Sequence, residues 1–488
     1  MSDLSPSSLP FKDPLREKIT REIFSFFEEY ADKVPALRKK NPYYHQRIRE
    51  YLKFTILPGS RVLEIGTCDG RALAEVEPAY GLGIDCSPKM IEMASKNYPH
   101  LHFKVANAED LTLPEEAPFD YIILSDVIGY FYDIRQAFER LLPLCHPDTR
   151  IILNWYSRLW QPVLNLAEKL GLKHPLPFNN WTSRDDVRGL LALAGFEVVK
   201  VSVRELLPKK IPLLSSFCNR FLVQFFPFSV FAWTNWMIAR PALPLKKQNP
   251  SVSIVCPCRN EAGHIAEILS RTPLLGEFTE LIFVEGNSSD NTAEVLKATV
   301  AQYQGPLRLH LYTQTGKGKG DAVRLGFSKA SGEVFMILDA DLTVAPEDLP
   351  HFYQALLQGK AEFINGSRLV YPMEGQAMRF ANILGNKAFS YMFTFLLGQR
   401  FKDTLCGTKV LTQRNYQRIV QGRSFFGEFD PFGDFDLLFG AAKLNLKIID
   451  FPIRYRERHY GTTNIQRWRA GFILLGMCLY AYRKFKLV

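Results

Sequence analysis

Twice along this chain an apolar, β-rich run breaks into a polar or glycine-bearing turn and then into a helix, and the second series starts afresh at residue 251. Strands alternating with helices in this way build a mostly parallel sheet covered by helices. Between the two series lies RPALPLKKQNPS (240–251), with three prolines, two lysines and no apolar periodicity, which reads as a linker. The 488 residues also exceed what a single core usually holds. The expected architecture is therefore α/β in two domains. Its divisions are a helical extension over 1–45, from the amphipathic REKITREIFSFFEEYADKV, a first domain over 46–241, a linker over 242–250, a second domain over 251–465 and a basic amphipathic helix over 466–488.

Hydrophobic residues make up 47% and charged residues 23%, ordinary for a globular protein. The eight cysteines form no CxxC pair and no metal-ligand spacing, so they read as core thiols in a reducing compartment. The N-terminus lacks the apolar core of a secretory signal, and a cytoplasmic location is expected. Much of the net charge of +10 sits between Pro452 and Val488, where eight Lys/Arg face one acid, Glu457. Such a patch meets anionic lipid or phosphorylated substrates. The charge is local and no RNA-binding module accompanies it, so no nucleic-acid partner is expected.

In the first half, RVLEIGTCDGRALAEV (61–76) is an apolar strand, a glycine turn and a helix, and the next strand, YGLGID (80–85), ends in Asp85. Glycines let the backbone approach a ligand closely, and an acid at the end of the second strand accepts hydrogen bonds from ribose hydroxyls. These residues resemble motifs I and II of class I S-adenosylmethionine-dependent methyltransferases, over roughly residues 45–241. The family's acidic-x-Gly-x-Gly-x-Gly stands here as Glu64, Gly66, Cys68 and Gly70, with the middle glycine replaced. ANAEDLTLP (106–114) resembles the loop framing the adenine, with Ala108 and Glu109 at its contact positions. FDYIILSDVIGYFYD (119–133) resembles the fourth strand and the loop facing the methyl acceptor, without the histidine often found there. The resemblance implies a Rossmann-like fold binding S-adenosyl-L-methionine through Glu64, Gly66, Gly70, Asp85, Ala108 and Glu109. An alcohol acceptor needs a general base. Asp126 or a neighbour is a candidate, beside the plainer reading of a loop carboxylate facing solvent.

In the second half, SVSIVCPCRNEAGHIAEIL (251–269), ELIFVEGNSSDNTAEVL (280–296) and VFMILDADL (334–342) all run from apolar strand into polar residues. Carboxylates and basic groups thus gather along one edge of a parallel sheet, where open α/β sheets bind ligands. Asp339 and Asp341 are expected on one face of a strand, since side chains alternate with period two. Two carboxylates held together repel unless a cation neutralises them. A hard divalent ion, Mg²⁺ or Mn²⁺, takes oxygen ligands and bridges to phosphates.

This arrangement resembles the Asp-x-Asp motif of GT-A glycosyltransferases, specifically family 2, the group containing polyprenyl-phosphate sugar transferases, over about 250–465. Asn260-Glu261 matches the Asn-Glu after the first strand; Glu285 stands where the family commonly has an Asp contacting the base, with Gly286 replacing a second Asp. SSDNT (288–292), the Lys319 loop GKGDAVR, NGSR (365–368) and DTLCGTKV (403–410) also match. The resemblance implies an inverting transfer from a nucleotide-diphosphate sugar, carrying UDP or GDP, to a lipid-phosphate or glycan acceptor. It places Pro257, Asn260, Glu261, Glu285, Lys319, Asp339 and Arg368 about the donor, Asp339 and Asp341 on the metal, and Asp341 in catalysis. PFGDFDLLFG (431–440) supplies Asp434 and Asp436 as acceptor-site carboxylates, with no base assigned between them. RHYGTTN (458–464) resembles an Arg-x-x-Gly-x-Ser-Lys motif through Arg458, with Asn464 in the lysine's place.

Two apolar stretches remain. Residues 221–239 carry no charge, close to the ~20 residues a bilayer span needs. Gln224, Pro227, Ser229, Thr234 and Asn235 interrupt them, so the stretch reads as an apolar insertion before the last strand, covering the pocket or touching a membrane surface. Ala470–Tyr482 is shorter and flanked by Arg467, Arg469, Arg483, Lys484 and Lys486, suiting a helix at an anionic membrane surface or packed on its own domain. The expected protein is bifunctional, with both activities in one glycan or glycolipid pathway and with peripheral membrane contact. The alternative is an active glycosyltransferase whose methyltransferase-like half binds cofactor only to regulate.

Overall fold

In a computed structural model of the protein, residues 14–40, 42–170, 177, 179–245, 247–371, 380–425, 433, 435–456 and 467–487 are described. The chain divides into two compact units, Met1–Pro241 and Ala242–Leu487.

The first unit is built on seven strands: β1 (Arg61–Ile65), β2 (Tyr80–Asp85), β3 (His102–Val105), β4 (Phe119–Ser125), β5 (Cys145–Tyr156), β6 (Phe196–Arg204) and β7 (Thr234–Pro241). Their order is β3-β2-β1-β4-β5-β7-β6, all parallel except β7, which runs antiparallel to both its neighbours. Period-two alternation divides the apolar residues between two cores. Leu63, Ile65, Ile122 and Leu124 pack on one face of the sheet, and Val62, Tyr121, Ile123 and Ile152 on the other. With both faces covered, the central strands are mostly apolar, as a parallel sheet requires.

The helical segment before β1 is part of this unit. Helix Pro42–Thr55 runs through the boundary expected at 45/46. It buries Tyr44, Ile48, Tyr51 and Leu52, spaced as one helical face, against the second core. Tyr51 meets the buried Trp236 of β7 edge-on at 4.6 Å. Between β6 and β7 the apolar stretch forms helix Leu214–Arg220 and two short turns, Leu222–Gln224 and Phe228–Phe231.

The second unit repeats the plan with β8 (Val252–Cys258), β9 (Thr279–Glu285), β10 (Arg308–Thr313), β11 (Val334–Ile337), β12 (Phe363–Ser367), β13 (Lys409–Thr412) and β14 (Ile448–Pro452). The order is β10-β9-β8-β11-β13-β12-β14, with β13 antiparallel to its neighbours. Part of the stretch expected as a linker lies along this unit. The Leu245 amide donates to the Leu357 carbonyl at 3.1 Å, and the Lys247 ammonium pairs with Glu333 at 2.6 Å. Helix Arg467–Lys486 buries Leu474, Met477, Cys478 and Ala481 and leaves Phe472, Leu475 and Leu479 exposed on its other side. Among the described residues, no helix is long and apolar enough to cross a membrane.

Helix Lys319–Lys329 lies close over the central strand β8, because Gly326 has no side chain: a Cβ there would collide with both methyls of Val255. Gly326→Val should therefore destabilise the second domain by about 1–3 kcal/mol, the usual cost of overpacking, read as a lower urea midpoint at unchanged slope.

Candidate functional site

The carboxyl ends of β1, β2 and β4 open into a cavity of about 240 Å³ in the first unit. Glu64, Gly66, Asp85, Ala108 and Glu109 line it together, although they come from three separate segments of the chain. Gly66 has φ +73°, and a Cβ on it would stand 2.7 Å from Val127, so the turn needs glycine on both counts. Cys68, in the replaced-glycine position, nevertheless adopts φ +53°. Its amide donates to Asp85 Oδ2 at 3.0 Å, while Ser87 N–H donates to Oδ1 at 3.1 Å. Glu64 is buried and accepts from the Thr67 hydroxyl at 2.8 Å. Burial pushes its carboxyl up to about 8. Burial also raises Glu109, which accepts backbone N–H groups from Tyr132 at 2.8 Å and Asp133 at 3.3 Å. Gly70 (φ +76°) turns the chain into helix Arg71–Glu75, and is set back from the cavity lining.

Two features of this cavity were missed from the sequence. Helix Pro14–Tyr30, expected as an extension, supplies Ile23, Phe24 and Phe27 to the lining, and Phe27 meets Tyr130 edge-on at 5.0 Å. Its amphipathic pattern showed a buried face but not what that face covers. The second is the setting of Asp126. Its backbone holds φ +53°, the Tyr44 hydroxyl donates to Oδ2 at 2.9 Å and the Asn154 amide to Oδ1 at 2.7 Å. Burial pushes this carboxyl up to about 7, against the opposing pull of the Tyr44 hydrogen bond. An acid directly after an apolar strand was the available signal; Tyr44 and Asn154, remote in sequence, gave none.

In the second unit the turn after β8 is laced to the turn after β9. Asn260, at φ +59°, donates its amide to Ser288 Oγ at 3.1 Å and accepts from Ser289 N–H at 2.8 Å. Glu261 is buried, with His264 Nδ1 2.9 Å from its carboxylate. Glu285 is also buried and accepts the Ser288 amide at 2.6 Å. Pro257 is the next-to-last residue of β8.

Asp339 and Asp341 do not share a strand face, as alternation had suggested. Strand β11 stops at Ile337, and the chain turns through Leu342 at φ +53°. Asp341 accepts from the amide and hydroxyl of Thr343, at 3.2 and 2.8 Å. Asp339 carries an ion pair with Lys319, 2.6 Å from Nζ to Oδ1. Gly407 seals this pair: a Cβ there would strike both the carboxylate and the ammonium. Gly433 approaches Gly320 of the Lys319 loop so closely that a side chain on it would meet backbone. Asp436 is buried and paired with Arg423 at 2.9 Å. Arg368 turns toward the buried Asp403 in a two-pronged pair of 2.7 and 2.8 Å. Asp434 and Arg458 lie outside the described residues. Among the described residues no group of three or more His, Cys, Asp or Glu side chains forms a metal-binding cluster.

Residues 253–420 match the family model of glycosyl transferase family 2, and residues 28–201 match a methyltransferase-domain model. The chain joins a methyltransferase domain to a family 2 glycosyltransferase domain. The glycosyltransferase AglJ of Haloferax volcanii is 29% identical over 238 residues, covering 48% of this chain and 72% of that protein. The dolichol-phosphate mannosyltransferase of Pyrococcus furiosus is 36% identical over 121 residues, covering 24% of this chain and 33% of its own length. A solved S-adenosylmethionine-dependent methyltransferase from Thermotoga maritima has 18% identity and a TM-score of 0.36, over 45% of this chain and 99% of that one.

In the glycosyltransferase domain, the Arg368–Asp403 pair is a deeply buried charge pair near the sheet edge. Asp403 is held down to about 2, because the guanidinium and the Asn386 amide outweigh its desolvation. Arg368→Ala would strand a buried carboxylate and should cost about 3–5 kcal/mol in urea unfolding. The stability this carboxylate adds is present above its unfolded value and lost as pH falls through about 2.

Proposed function

We propose that the glycosyltransferase domain moves a sugar from a UDP- or GDP-sugar to a lipid-phosphate or lipid-linked glycan acceptor with inversion, and that the methyltransferase domain O-methylates a product of the same pathway. One feature found in both halves carries this reading. Each domain gathers charge at the carboxyl edge of an otherwise apolar sheet: Asp126 among the cavity's carboxylates, and the Lys319–Asp339 pair beneath Gly407.

In the glycosyltransferase domain, Asp339 already accommodates a cation, the Lys319 ammonium, and its neighbour Asp341 adds a second hard oxygen donor. That donor set fits Mg²⁺ or Mn²⁺, which supplies positive charge against a leaving diphosphate. Lys319 lies where it can move its charge from Asp339 to donor phosphates. The Asn260 and Glu285 turns frame the nucleotide end of the site. A phosphate acceptor is anionic near neutral pH and needs no base. Asp434 and Asp436 are assigned to the acceptor side, with Arg458 near the diphosphate. The exposed Phe472, Leu475 and Leu479, beside Arg483 and Lys484, suit the C-terminal helix to peripheral contact with an anionic membrane face.

In the methyltransferase domain, Glu64, Gly66, Asp85, Ala108 and Glu109 would hold S-adenosyl-L-methionine, which supplies the electrophilic methyl group. Asp126 accepts the proton of an acceptor hydroxyl. A base titrating near neutrality is matched to that task, being largely deprotonated yet still basic.

Thermal shift tests the donor site: a ligand at 100 times its Kd stabilises the folded state by about 2.7 kcal/mol. UDP or GDP with Mn²⁺ should shift the protein and should fail to shift Asp341→Ala; no nucleotide shift under any metal would refute the donor assignment. The cavity has its own test. S-adenosylhomocysteine should shift the wild type. Methyl transfer should rise with pH through about 7 as Asp126 loses its proton, and Asp126→Asn should abolish that step. Tyr44→Phe removes a hydrogen bond to the charged carboxylate, so the midpoint should move to higher pH. A pH profile unchanged in both variants would remove Asp126 from the chemistry.

A further inference from the structure

The insertion between β6 and β7 presents an apolar face to solvent. Leu213 is 90% exposed and Phe226 84%, and Phe217, Phe228 and Phe231 are exposed with them. Ordinary surfaces scatter single hydrophobics and rarely assemble such a group. The face is not a loose loop. Buried Asn219 accepts the amides of Leu206 and Leu207 at 2.8 and 2.9 Å, and Ser215 Oγ accepts the Ile211 amide and donates to the Lys209 carbonyl. These polar latches fix the backbone and leave the apolar side chains outside.

The face extends to helix Gln161–Lys169, where Val163 and Leu166 are exposed. Trp160, just ahead of that helix, donates its indole N–H to the carbonyls of Phe231 and Ala232, 3.3 Å from each. Its ring lies 5.2 Å from Trp233, which in turn lies 6.2 Å from Tyr156, a wall of the cofactor cavity. A belt of rings thus joins the exposed face to the catalytic pocket.

Charge selects the occupant. From Leu206 to Ala239 there is no acidic residue, while Lys209, Lys210 and Arg220 are exposed. A second copy seated on this face would set like charges against like. The face of an anionic bilayer offers the opposite sign, with acyl chains for the phenylalanines. We infer that the β6–β7 insertion docks the methyltransferase domain on an anionic bilayer and brings a membrane-held methyl acceptor to the cavity, a conclusion whose second half rests on the proposed methylation of a lipid-linked product. This contact is separate from the one assigned to the C-terminal helix.

The test is flotation of the full chain with vesicles of phosphatidylcholine alone or containing phosphatidylglycerol. It compares wild type, a Leu213→Ser/Phe226→Ser/Phe228→Ser variant and a Phe472→Ser/Leu479→Ser variant. S-adenosylhomocysteine thermal shift reports fold and pocket in each. The insertion variant should keep the thermal shift and lose at least about tenfold in vesicle partition, since burying even one such side chain is worth that factor. Lys209→Glu/Lys210→Glu should weaken binding only where phosphatidylglycerol is present. Unchanged partition in the insertion variant, with loss only in the C-terminal variant, would overturn the inference. So would a wild-type dimer that the insertion variant splits without any vesicle binding. Absence of the thermal shift in the wild type would count against the methylation reading and leave the docking result standing by itself.

Discussion

A strand covered on both faces has nowhere to keep an unpartnered charge except its ends. Both sheets of this protein obey that constraint: Ile65, Ile84 and Leu124 in one unit, and Val255, Phe283 and Ile337 in the other, are almost wholly out of solvent. An unpaired charge among them would carry a desolvation cost far larger than any single contact could offset. The chemistry is therefore pushed to the carboxyl edge, where turns expose backbone amides and carboxylates can find partners. The two sites resemble each other in position because the same burial rule acts twice.

At that edge, the identity of a residue says less than its neighbours do. Asp126, half-buried, and Asp403, fully buried, are both aspartates withdrawn from solvent. Asp126 has two neutral donors, and desolvation outweighs both the Tyr44 hydrogen bond and the pull of Arg38, so its carboxyl rises to about 7. Asp403 faces a guanidinium and falls to about 2. The first is suited to exchanging a proton near neutral pH and the second to never doing so. Sequence alone gives both simply as Asp.

The strand–helix alternation and the polar strand ends could be read directly from residue order, because burial writes itself into hydrophobic periodicity. The two-sheet α/β architecture was legible for that reason, as was the grouping of Glu64, Gly66, Asp85, Ala108 and Glu109 around one cavity. What escaped was contact between distant segments. Helix Pro14–Tyr30 showed an apolar face without showing that it lines the cavity, and Tyr44 carried no mark of its bond to Asp126. Local period also misled once. Asp339 and Asp341 alternate as strand residues would, but the strand ends at Ile337 and the Thr343 bonds shape a turn instead. Composition marked 242–250 as a linker but gave no sign that Leu245 and Lys247 are tied to the second unit.

Two ion pairs near the edge of the second sheet show how burial divides scaffold from machinery. Arg368–Asp403 is two-pronged, with the carboxylate fully excluded from solvent. Opening it would leave a bare charge in a low-dielectric interior, so it holds the wall in one arrangement. Lys319–Asp339 is just as short, yet its two side chains remain 28% and 25% exposed. Solvent screening leaves such a pair a small net value. Its partners can separate at little cost when a stronger anion or cation arrives. Gly407 keeps a side chain out of the space beside it, where a Cβ would strike both partners. A short, partly exposed pair is held less firmly than a fully buried one, and this pair stands where the apolar sheet gives way to charge.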